Sequence, residues 1–249
     1  MRFRRWKFKT IKGARREVLA EVRRIHGNRI SHGPFSGMLL GEGQSWGNLD
    51  LTGKILGTYE SGIVKWTITA LAERSKIINI GAGDGYYGIG CLVADAAEYS
   101  ICFEASSEGR ANLGKIAEIN GVANRMELKG TADATSVLDT FTKHASDAVV
   151  VCDIEGAEFD LWNGDAIELC RHTPIAIELH DTIMPVDQNS REDLLARFAH
   201  THELTIVHNE PIDAHAFDEL AKFDDQMRLL AFAEDRPCRM DWLLAMPRA

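Results

Sequence analysis

From residue 76 onward the chain alternates short apolar runs with amphipathic stretches. Short runs fall at 76–80, 99–104, 125–129, 147–153, 174–180, 203–208 and 240–246, and those at 147–153 and 174–180 have the unbroken apolar centres expected of strands covered on both faces. Helical spacing falls between them at 86–97, 107–120, 133–144, 156–169 and 190–201, the last opened by Asn189 and Ser190 as caps. The order predicts an α/β fold, Rossmann-like, with a seven-stranded, mostly parallel sheet and helices on both faces. The last run, 240–246, is set apart by a long interval, 209–239.

At 249 residues the chain suits one domain, 1–249, made of a basic N-terminal helix and a lid or rim segment (1–62) followed by a ligand-binding α/β core (63–249). Val18, Leu19, Val22 and Ile25 fall at helical spacing within a segment, 1–25, that carries a net +8 and leaves −17 for the rest. A basic amphipathic helix docks on an anionic lipid surface or on an acidic substrate, or packs on the acidic body of its own chain or on a second subunit of a homo-oligomer; packing is the favoured reading. The same acidic body argues against nucleic acid as partner. No run approaches the 18 apolar residues of a membrane span. The five cysteines are odd in number, widely spaced and set in apolar surroundings, so they read as reduced thiols, with a cytoplasmic location as the default.

The first run feeds a glycine-rich turn, Gly81, Ala82, Gly83, Asp84, Gly85, at the mouth of a helix. Glycine there permits positive φ and brings backbone N–H groups to a ligand at a helix N-terminus. Gly83, Gly85 and Gly88 also satisfy G-x-G-x-x-G, with Glu104 about where a ribose-binding acid stands, so NAD is one candidate. Asp84 would repel a pyrophosphate but attract the ammonium and sulfonium of S-adenosylmethionine (SAM), which favours SAM.

Ligands of an open parallel sheet bind beyond the carboxyl ends of its strands. Those ends carry Asn79 with the 81–85 loop; Glu104 and Ala105; Ala132 and Asp133; Asp153, Glu155 and Glu158; and Glu178, His180 and Asp181. Glu104 suits a ribose diol, and Asp133 either the adenine amino group or a helix cap. Asp153 and Glu155 suit the methionine ammonium and the acceptor, and Glu158 suits a helix dipole. His180 has the pKa of a general base for a hydroxyl, with Asp181 or Glu155 to hold its tautomer. Asp153, His180 and Asp181 are also plausible ligands for a divalent ion that would acidify an alcohol.

Together, residues 79–85, Phe103-Glu104, Asn120-Gly121, 153–158 and 177–180 resemble class I SAM-dependent methyltransferases, and more narrowly the FkbM family, which methylates hydroxyls of sugars and natural products. The resemblance implies the class I methyltransferase fold, with the last strand antiparallel beside the fifth and sixth, SAM as cofactor and a small-molecule or glycan acceptor. It also implies a role for the segment 56–60, where Glu60 would approach the cofactor. Many relatives carry aspartate at the position of Asn79. The alternatives are an NAD-dependent oxidoreductase and a non-catalytic SAM-binding scaffold.

Overall fold

A computed structural model describes residues 10–42, 50–182, 190–208, 211–234, 236 and 238–248. In chain order the elements are α1 (Ile11–His26), α2 (Leu51–Leu56), α3 (Ser61–Leu71), β1 (Lys76–Ile80), α4 (Tyr86–Val93), β2 (Tyr99–Phe103), α5 (Ser107–Ile119), β3 (Met126–Lys129), α6 (Ala134–His144), β4 (Ala148–Cys152), α7 (Glu158–Leu161), α8 (Gly164–Leu169), β5 (Ile175–Leu179), α9 (Ser190–Phe198), β6 (His202–Val207), α10 (Asp225–Leu230) and β7 (Asp241–Pro247). The sheet order is β3-β2-β1-β4-β5-β7-β6. β1 to β5 pair in parallel, and β7 lies antiparallel between β5 and β6, as the methyltransferase resemblance implies.

Strands β1, β4 and β5 are buried almost throughout, which explains why they show no period-two alternation. One hydrophobic layer covers a face of the sheet through Phe141, Trp162, Ile167 and Phe198; the opposite layer joins Ile77, Val149 and Val151 to Val18, Val22, Ile30, Phe35, Met38 and Ile55. The order reverses between β1 and β4, and the loops after those strands open a crevice there.

Several boundaries shift for local reasons. The helix expected over 156–169 breaks into α7 and α8, because Asn163 leaves helical geometry and caps α8 by accepting from Ala166 N at 3.0 Å. α2 and α3 were absent from the sequence expectation, and residues 27–62 are more than a rim: Ile30, Phe35, Met38 and all of α2 lie inside. The proposed cap Asn189 falls outside the described residues, as do 1–9 of the basic segment. Thr10 caps α1, whose Val18 and Val22 are fully buried, while Ile25 is 43% exposed. The apolar stripe is therefore packed on the body of the chain, the favoured of the readings above. No described helix is long and apolar enough to cross a membrane. All five cysteines are free, four of them buried.

Candidate functional site

The glycine turn is held by contacts only glycine can make. Gly81, Gly83 and Gly85 all take positive φ, at 81°, 53° and 79°. A Cβ on Gly81 would stand 1.7 Å from the carbonyl oxygen of Asp153, so the turn after β1 presses against the backbone leaving β4. The backbone also closes on itself: Asn79 Oδ1 accepts from Gly88 N at 3.2 Å, tying β1 to the first turn of α4. Glu104 accepts from Gly83 N at 3.0 Å through Oε2 and from Ser106 N at 2.8 Å through Oε1. Each of those oxygens keeps a second lone pair for a ligand hydroxyl.

A cavity of about 470 Å³ opens over this turn. Its wall includes Gly81, Ala82, Gly83 and Asp84 from the first strand end, Glu104 and Ala105 from the second, Ala132 after the third, and Asp153 and Glu155 after the fourth. Asp50, Lys54, Tyr59 and Glu60 close it from the N-terminal side. Of the residues expected to meet a cofactor, Asn79, Gly85 and Asp133 are not in the wall. Asn79 and Gly85 shape the turn from behind. Asp133 is exposed and caps α6, accepting from Ser136 N at 2.9 Å, and these hydrogen bonds hold its carboxyl below the ordinary range. Of its two expected roles, the structure shows the cap.

The far side of the cavity is a knot of charge. Among the described residues, Glu60, Asp95 and Glu155 are the non-glycine positions with positive φ, and two of the three line this cavity. Following β5, His180 is 1% exposed and sits behind the cavity wall. Its orientation is set by Glu158, which is wholly buried: Oε1 accepts from His180 N at 2.8 Å and lies 3.2 Å from Nδ1, while Oε2 accepts from Gly156 N at 2.8 Å. Glu158, not Asp181 or Glu155, holds the tautomer. Nε2 then faces Asp153 Oδ1, Glu155 Oε2 and Glu178 Oε2, each at 3.5 Å.

Burial pushes the Asp153 carboxyl up to about 6, with His180 opposing and Glu155 adding to the rise. The Asp153 side chain keeps 32% of its surface, yet its Oδ1 is buried and no described group donates a hydrogen bond to it. For His180, burial disfavours the imidazolium, but the Glu158 hydrogen bond and the charges of Asp153, Glu158 and Glu155 outweigh it and raise the pKa. The ligand atoms of Asp153, Glu155 and His180 lie within 4.8 Å of one another and could hold a divalent ion. Asp181, expected in that set, instead pairs with Arg191 at 3.5 Å.

Arg236, from the interval before β7, was not foreseen. It contacts Glu60 and Glu178 and donates to Glu234 Oε2 at 2.8 Å, bridging the N-terminal wall to β5. Tyr87 donates to Glu60 Oε2 at 2.7 Å. Burial pushes the Glu60 carboxyl up, with Arg236 pulling against it. The pairing of Glu178 with the His180 side of β5 was readable from strand alternation, whereas nothing in the pattern around residue 236 marks it.

No family model and no curated protein sequence matches the chain, so the FkbM resemblance rests on its motifs. Solved structures do match in fold. The O-methyltransferase TomG from Streptomyces achromogenes, in complex with SAM, aligns at TM-score 0.52 and 14% identity over 85% of this chain and 93% of its own. A provisionally named O-methyltransferase from Klebsiella pneumoniae aligns at 0.50 and 14% over 95% and 90%. The cofactor-bound Rv0187 from MTB aligns at 0.51 and 14% over 75% and 79%. At such identities the likeness is one of fold: a seven-stranded, mostly parallel α/β sheet of the Rossmann-like methyltransferase kind.

Proposed function

We propose that the chain is a class I SAM-dependent methyltransferase acting on oxygen. The observation that carries the reading is the cavity itself, which joins a glycine turn and two acids at one end to a buried histidine–carboxylate cluster at the other. In this reading Gly81, Ala82, Gly83 and Asp84 hold the cationic methionine end, Glu104 and Ala105 the ribose, and Ala132 the adenine side; Glu60 closes the site. SAM supplies a methyl on a sulfonium, open to in-line attack. The neighbouring structure solved with SAM on the same fold supports the choice.

The protein's own contribution is to hold an acceptor hydroxyl and take its proton. Asp153 faces the cavity with a pKa raised to about 6, so it is ionised at neutral pH yet basic for a carboxylate. Glu155 stands beside it, and His180 lies behind both, fixed by Glu158 and able to hold the proton that Asp153 receives. A second reading rests on the same residues: a divalent ion on Asp153, Glu155 and His180 would acidify the hydroxyl directly. Turnover that survives a chelator favours proton transfer; turnover that chelation abolishes favours the ion.

The FkbM-like motifs point to a hydroxyl on a sugar or natural-product-like acceptor. The test is incubation with SAM and a panel of glycosides, polyols and phenols, followed by mass detection of S-adenosylhomocysteine (SAH) and of an acceptor heavier by one methylene. Methyl on oxygen supports the proposal. Reduction of NAD with no SAH formed would favour the oxidoreductase, and SAM binding without turnover on any acceptor the scaffold.

A further inference from the structure

We infer that the chain carries a transition-metal site of zinc type, separate from the cavity, formed by His26, His32 and Glu219. His26 ends α1, His32 follows six residues later, and Glu219 comes from the short 3-10 turn Asp218–Leu220. The two imidazole Nε2 atoms approach the same carboxylate oxygen, Glu219 Oε1, at 2.7 and 2.9 Å. All three ligand atoms lie within 4.8 Å of one another. Two imidazoles and a carboxylate suit Zn²⁺ or a neighbouring transition metal, whereas Ca²⁺ and Mg²⁺ take oxygen ligands.

The ligands are set on fixed backbone. Ser31, next to His32, bonds Ile55 O through both N (2.7 Å) and Oγ (2.9 Å), and a Cβ on Gly57 would meet His32 O at 1.9 Å. Phe217 packs edge-on against the His32 ring at 5.5 Å. Ligand atoms around a tetrahedral zinc stand roughly 3.3 Å apart, so the two Nε2–Oε1 approaches need to open by only about half an ångström. The proton on each Nε2 would move to Nδ1, which leaves the rings neutral and both Nε2 lone pairs free. His32 is 49% exposed, giving the ion an entry path and room for water as a fourth ligand. The ion would clasp α1 and the 27–40 segment to the 209–239 interval.

The test is titration of the metal-free full chain with Co²⁺, read by visible ligand-field absorption, and with Zn²⁺, read by calorimetry and thermal unfolding. One equivalent is expected to bind, with Zn²⁺ displacing Co²⁺ and raising the unfolding midpoint. His32→Ala, at the most exposed ligand and so least disruptive to folding, and Glu219→Gln should each weaken binding roughly 100-fold. Asp153→Asn should leave it unchanged. The inference fails if wild type takes up no ion saturably, if His32→Ala binds as tightly as wild type, or if Asp153→Asn removes the binding.

Discussion

The two ends of the cavity are built on opposite principles. At the β1–β2 end the polar groups have close partners: Asn79 on Gly88, Glu104 on Gly83 and Ser106, Asp84 on Asn112, with Gly81 packed against the Asp153 carbonyl. At the β4–β5 end four acids and His180 converge from 153, 155, 158 and 178, with Asp153 Oδ1 receiving no hydrogen bond from any described residue, and Arg236 brought in from far along the chain. The first end is a preformed shape that can bind; the second stores unbalanced charge that a proton or cation can relieve. In the proposed function, binding and chemistry fall to different strand ends.

Substitutions should separate the two. The largest effect is expected from Gly81→Ala, which drives a Cβ into the Asp153 carbonyl and forbids the required φ; a loss on the order of 4 kcal/mol or more in denaturant unfolding is expected, with no measurable SAH binding. Next comes Arg236→Ala, which leaves Glu60 and Glu178 buried without their cation, at a cost of about 3–5 kcal/mol in the same measurement.

Glu158→Gln should lower turnover roughly 10- to 100-fold while SAH affinity in calorimetry holds. It should also move the pH profile. Asp153 must be ionised to accept a proton, so wild-type turnover rises as pH climbs through about 6; the Glu158 charge raises both Asp153 and His180, and its removal shifts the rise to lower pH. The smallest effect belongs to Asp133→Ala: about 1 kcal/mol from the lost cap, with SAH affinity unchanged.

The same contrast decides what could be read from the sequence. The β1–β2 end is local: strand, glycines and acid lie within about thirty residues, and each glycine answers a backbone need, so the motif and its place were visible. The mostly parallel, doubly covered sheet was visible too, because its buried strands are continuous apolar runs. The β4–β5 end depends on tertiary contacts. Glu158 reads as a helix-terminus acid until β5 brings His180 against it, and Arg236 lies in an interval with no periodic pattern. Asp133 shows the converse: the capping signal and the ligand signal are the same residue type in the same place, and the fold displays the cap.

The central claim is that the glycine turn with Asp84 and Glu104 receives SAM. Calorimetric titration of the wild-type chain with SAH, and in parallel with NAD, tests it most directly. Saturable binding of one SAH per chain, with no heat from NAD, is predicted; NAD binding in place of SAH, or SAH binding that Gly81→Ala leaves intact, would contradict it.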